Sequence, residues 1–150
     1  MKRSIALSFA AVVASIAAAP VADADAPAGR YTVADGAVRD GETGLTWSQT
    51  EQPGGPWSWA DAQSQCPAPW RVPTVQELRT LVDLTQKTAP TIDTSVFYGP
   101  TPGSAPGSGW FWTSNRYLLE AKGYTFYVSF GNGGVDANDP TKPGGVRCVQ

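Results

Sequence analysis

The stretch Cys66–Leu84, C-P-A-P-W-R-V-P-T-V-Q-E-L-R-T-L-V-D-L, limits what this chain can fold into more than any other. Thr74 and Glu77 stand at the spacing of a capping box. The Thr74 hydroxyl accepts from the backbone N–H of Glu77, and the Glu77 carboxylate accepts from the N–H of Thr74. Behind this cap Val75, Leu78, Leu81 and Val82 recur at helical spacing and make one apolar stripe, so a short amphipathic helix to about Leu84 is expected. Pro73 lies just outside the cap, where no helical hydrogen bond is lost. Trp70-Arg71-Val72 ahead of it reads as a short strand. The order is strand, sharp turn, helix.

The chain has 150 residues, a one-domain length. Its first part reads as a signal peptide, residues 1–24. Lys2-Arg3 is a basic start, Ile5 to Ala19 is apolar, and Ala22-Asp23-Ala24 fits the small-x-small cleavage rule. The alternative is a membrane anchor, but the apolar run is shorter than the roughly 20 residues a span requires. No cysteine near the cut offers a lipid attachment point. Residues 25–40 are then a lead-in with the first strands, and 41–150 the main domain. The expected address is the periplasm or the cell exterior, with no membrane insertion after cleavage.

Two cysteines in an exported chain are most simply one disulfide, Cys66 to Cys148; the alternative is two buried thiols. With no histidine, no basic run and a formal net charge of −2, nucleic acid and anionic membrane surfaces are poor partners. Six Trp, 16 Gly and 13 Pro point to a loop-rich fold with an aromatic core rather than a helical bundle.

Along the chain, Tyr31-Thr32-Val33 alternates like a strand, Asp35-Gly36 turns and Val38 returns. After the turn Asp40–Gly44, Leu45-Thr46-Trp47 reads as a strand with Leu45 and Trp47 inward. Ser58 is a good N-cap, and Trp59, Ala62 and Cys66 share one helix face that Pro67 and Pro69 end. Regular structure fades from Thr85, with Ile92 and Phe97 as apolar anchors, and Gly99–Gly109 reads as a surface loop. The last third is β. Trp110–Ser114 is an aromatic strand, Tyr124–Phe130 alternates, and Gly131-Asn132-Gly133-Gly134 is a hairpin turn. Asp136–Gly145 is polar and broken, and Val146–Val149 reads as a final strand.

Six motifs in this order carry a family resemblance: G-L-T-W (44–47), W-A-D-A-Q-S-Q-C (59–66), W-R-V-P-T-V-Q-E-L (70–78), F-W-T-S (111–114), Y-V-S-F-G-N-G (127–133) and V-R-C-V (146–149). The chain from about Gly41 to Val149 resembles the C-terminal domain family of the Legionella collagen-like adhesin. That resemblance implies an α+β, C-type-lectin-like fold: two short helices on twisted antiparallel sheets, long loops, and pairing of Cys66 with Cys148. The adhesin is associated with sulfated polysaccharides and trimerises through a collagen-like stalk; this chain carries no Gly-x-y stalk and is acidic. The R-V-P-T-V-Q-E-L stretch is also similar to a motif in formylglycine-generating enzymes, which share the lectin-like fold and need a cysteine-based copper site.

Among candidate site residues, Arg71 and Arg147 sit inside motif strands, where an anion is one use and a local carboxylate such as Glu77 the plainer one. Asp136, Asn138 and Asp139, with Asn132 nearby, offer oxygens of the kind calcium takes, although such residues are ordinary in turns and their spacing fits no calcium motif. Calcium is therefore the one cofactor weighed, and none is assigned. Most tryptophans, Trp70 included, fall at core positions. Trp57, among Pro and Gly, is the best placed to stack on a sugar. The chain lacks a His, a nucleophile elbow and a metal triad, so no catalytic residue is assigned. The expected function is non-catalytic, adhesin-like recognition of an extracellular or envelope glycan or protein through loops 99–109 and 132–145. The alternatives are a structural assembly protein that binds only protein and an enzyme of the formylglycine-generating type. A concave aromatic-polar site would favour the glycan; a flat apolar patch would favour assembly.

Overall fold

The computed structural model describes residues 29–99, 109–118 and 123–150, so the expected signal peptide and most of the 99–109 loop lie outside the described residues. Tyr31–Ala34 (β1) and Ala37–Asp40 (β2) form a tight hairpin. Its two turn residues, Asp35 and Gly36, both take positive φ, 51° and 74°, the geometry that matches the twist of a two-residue hairpin. Thr46–Ser48 (β3) adds to β2, giving an antiparallel sheet in the order β1-β2-β3.

Trp59–Ala62 (α1) starts at Ser58, whose hydroxyl accepts from Asp61 N–H. Val75–Arg79 (α2) starts at Thr74 with both halves of the capping box made. Trp110–Arg116 (β4), Thr125–Ser129 (β5) and Val135–Asn138 (β6) form a second antiparallel sheet in the order β4-β5-β6. The fold is thus α+β, with two short helices, two three-stranded sheets and one disulfide, Cys66–Cys148.

The regular elements are shorter than the sequence implies. The helix expected to reach Leu84 stops at Arg79, because Asp83 N–H turns away to bond Thr91 O; Leu81 stays buried but Leu84 is 75% exposed. The helix expected to carry Cys66 stops at Ala62 in tightened turns, Ser64 N–H to Asp61 O and Gln65 N–H to Ala62 O. Trp70-Arg71-Val72 is no strand but a single bridge, Arg71 with Val149. Val146–Val149 likewise holds by bridges rather than as a strand: Val149 pairs with both Trp47 and Arg71. Conversely, the segment expected to be broken from Asp136 begins as β6, paired along β5.

The alternation along β5 decides where the core sits. Val128, followed by Phe130, faces a mainly aliphatic core with Val38, Trp47, Leu78, Leu81, Ile92, Phe97, Phe111 and Val149. Tyr127 faces the other way, into an aromatic cluster with Trp112, Trp57, Trp59, Trp70 and Trp110, where both cysteines lie. One sheet therefore serves two cores. The C-terminal segment closes both, because Gly145 bridges Phe111 of the first core and Gly144 bridges Trp57 of the second.

Candidate functional site

Two Pro-Gly-Gly runs, Pro53-Gly54-Gly55 and Pro143-Gly144-Gly145, converge at one end of the β4–β5–β6 sheet. A double backbone bond joins them: Trp57 N–H donates to Gly144 O (2.9 Å), and Gly144 N–H to Trp57 O (2.8 Å). Between them is a concave cavity of about 360 Å³, within the roughly 300–1,000 Å³ range of small-ligand pockets. Its walls are Trp57, Trp110, Phe111, Pro56 and Pro143; Glu51 and Gln52 supply the polar edge, and glycines the bare backbone.

The glycines are there because aromatic rings rest directly on them. A Cβ at Gly55 would lie 2.8 Å from Trp57 Nε1, one at Gly144 2.8 Å from Trp112 Nε1, and one at Gly145 2.7 Å from Phe111 Cε1. A side chain at Gly55 or Gly145 would displace a ring of the wall, and one at Gly144 would displace Trp112, which packs against Trp110. Trp112 Nε1 donates to Trp57 O (2.9 Å), which fixes the loop from the core side. Trp110 is held by Trp112 at 5.0 Å and edge-on by Tyr127 at 4.6 Å between ring centroids.

Glu51 is mostly buried, with 11% of its side chain exposed, and Arg147 lies behind it with Nη2 4.0 Å from Oε1. Arg147 itself is sealed. Nη1 donates to Ser48 O (2.8 Å) and Gln49 O (2.9 Å), Nη2 donates to Tyr98 O (2.9 Å), and the guanidinium lies 5.1 Å from the Phe97 ring. Burial pushes its pKa down to about 10, partly offset by the Glu51 charge. It remains a cation at neutral pH, spent on carbonyls rather than offered to a ligand.

Arg71 meets the expected partner. Its Nη1 and Nη2 donate to Glu77 Oε2 (2.8 Å) and Oε1 (2.6 Å), a bidentate clasp on the surface. The Arg71 guanidinium, followed by the Thr74 N–H and hydroxyl, holds the Glu77 carboxyl down at about 2 against the weaker push of burial. This clasp and the capping box share one carboxylate, which makes Thr74, Glu77 and Arg71 a structural unit.

Of the residues expected to touch a ligand, Trp57 lines the cavity, whereas Asn132, Asp136, Asn138 and Asp139 do not. Asn132 Oδ1 accepts from Gly134 N–H, Asp136 Oδ1 from Ala137 N–H, Asn138 Oδ1 from Asp139 N–H, and Asp139 Oδ1 from Thr141. These oxygens shape the β6 turns locally. Among the described residues no group of three or more His, Cys, Asp or Glu could hold a metal ion. Trp70 packs in the aromatic cluster.

Sequence reading missed Glu51, Gln52, Trp110 and Phe111 as cavity residues. The available signal was the repeated Pro-Gly-Gly, which marks two places where backbone must come close to something bulky. It also missed Arg30, which was counted in the lead-in. Its Nε and Nη2 bind the fully buried Asp40 at 3.1 and 2.8 Å, and Nη2 reaches Thr80 O (2.6 Å). Burial works to raise Asp40, but the Arg30 bonds and Glu42 N–H win and lower its pKa. That link ties the first hairpin to the end of α2.

The Lcl C-terminal domain pattern matches residues 36–150, most of the chain and all six motifs. The chain belongs to the Lcl C-terminal domain family. The match takes in Cys66 and Cys148, both pocket-forming Pro-Gly-Gly runs and the Arg71–Glu77 clasp. Neither the curated proteins nor the solved structures contain a match to this chain. The disulfide suits an oxidising compartment, and among the described residues no helix is long and apolar enough to cross a membrane.

Proposed function

We propose that this Lcl C-terminal domain protein is an exported, non-catalytic, C-type-lectin-like module that recognises an extracellular glycan in the cavity between its two Pro-Gly-Gly runs. The observation that carries the reading is the lining: two indoles and a phenyl ring beside one carboxylate and one carboxamide. Aromatic faces take the C–H face of a sugar ring, and acid and amide side chains take its hydroxyls. A concave site with a few placed polar groups is the usual form of a small-ligand site.

The reading calls for no metal. The oxygens at Asn132–Asp139 are engaged with neighbouring N–H groups, which favours recognition independent of calcium. A formylglycine-generating type of chemistry would need a cysteine thiol, and both cysteines are in the disulfide. The test is a glycan array of the mature, oxidised protein, run with calcium and with chelator. Hits in both conditions, weakened at least about tenfold in Trp57→Ala and in the milder Gln52→Ala, are the expected result. Hits that vanish with chelator would move the site to the β6 turns.

One observation favours a second reading, assembly with protein. β1 is an edge strand with Val33 45% exposed, a template for adding a strand from a partner. An array without hits, together with a partner whose binding is lost in Val33→Pro, would decide for it.

A further inference from the structure

Resting on the glycan reading above, we infer that the cavity selects uncharged saccharides and rejects sulfated or carboxylated ones. The argument is one of charge placement. Among the described residues the lining holds one ionisable side chain, Glu51, and no Lys or Arg. Arg147, the cation paired with Glu51 at 4.0 Å, is fully buried and donates to the carbonyls of Ser48, Gln49 and Tyr98. It sits beside Glu51 and is not among the residues that line the cavity.

An anionic sugar would therefore lose its hydration to aromatic walls and meet a carboxylate, with no Lys or Arg among the described lining residues to replace the lost water. A neutral sugar faces no such cost. Its hydroxyls donate to the Glu51 carboxylate and exchange bonds with the Gln52 amide, and its ring lies on Trp57 or Trp110. The walls suit this ligand because Gly55 keeps the Trp57 indole and Gly145 the Phe111 ring at backbone distance, where a side chain would displace them. With an acidic net charge on the whole chain, long-range repulsion of anions points the same way.

The test is titration of the mature, disulfide-bonded protein with matched pairs of oligosaccharides, neutral and sulfated, at low and high salt. Three proteins are compared: the parent, Glu51→Gln, and Gln52→Lys. The last keeps the Glu51–Arg147 arrangement intact and so guards against a folding defect in the first. The parent should bind the neutral member at least about tenfold more tightly at low salt. The gap should shrink in Glu51→Gln and with added salt, and close or reverse in Gln52→Lys. Equal or tighter binding of the sulfated member by the parent overturns the inference and leaves the glycan reading standing. So does a gap that neither variant changes. Binding of no sugar in either form overturns both.

Discussion

Arg71 and Arg147 flank the same C-terminal segment and solve the problem of a core-edge cation in opposite ways. Arg71, half exposed, grips one carboxylate with two hydrogen bonds, and that carboxylate, Glu77, is only six residues further along the same motif. Arg147, fully buried, keeps a carboxylate only at 4.0 Å and spends its hydrogen bonds on three carbonyls, those of Ser48 and Gln49 at the end of β3 and that of Tyr98. The first is a local clasp that solvent screens. The second is a tertiary hub around which β3, the Tyr98 segment and the cavity edge at Glu51 are assembled. The difference shows what a buried guanidinium needs: several carbonyl acceptors that converge on it, here from the end of β3 and the Tyr98 segment.

The comparison predicts unequal costs. Arg147→Met should destabilise the most, by about 3–5 kcal/mol, because Ser48 O, Gln49 O and Tyr98 O all lose the guanidinium, only Gln49 O keeping a backbone donor among the described residues, in Tyr98 N–H, and Glu51 loses a nearby cation. Denaturant unfolding checks it, and a cost below about 1 kcal/mol would show that water or neighbouring amides replace the guanidinium. Removing the disulfide with Cys66→Ala and Cys148→Ala comes next, at roughly 2–4 kcal/mol, since the bond closes a loop of 82 residues. It unfastens the segment that holds Arg147 and bridges Arg71, so with Arg147→Met the effects should add to less than their sum.

The smallest effect belongs to the clasp and is read by pH. Glu77 titrates near 2 when folded against an ordinary value of 4.5, so the folded state prefers the carboxylate. The stability it contributes is fully present above pH about 4.5 and is lost as pH falls toward 2. Arg71 is half exposed and solvent screens it, so the contribution is about 1–2 kcal/mol. Acid titration of stability in the parent and in Glu77→Gln should differ by that amount at pH 6 and converge near pH 2. Curves that stay parallel to pH 2 would assign the clasp no electrostatic role.

What was legible beforehand follows from the range of the interactions. The Asp35-Gly36 hairpin, both helix caps, the Arg71–Glu77 pair and the inward Trp47 were readable because each depends on residues a few positions apart or on alternation along one strand. With only two cysteines, the disulfide was readable too. The helix ends were not, because tertiary hydrogen bonds such as Asp83 N–H to Thr91 O draw the chain out of an otherwise continuous apolar stripe.

The cavity was half legible. Trp57 was picked out by its Pro- and Gly-rich flanks, while Glu51, Gln52 and Trp110 gave no local sign of sharing a wall with it. The sequence by itself determined the capping unit, the strand faces, the cysteine pair and the family. Only the tertiary structure decided that two Pro-Gly-Gly runs some 90 residues apart meet through the Trp57–Gly144 bridge, and that Arg147 turns inward behind Glu51. Both depend on long-range backbone groups finding partners, and one-dimensional patterns of side chains do not record where those groups end up.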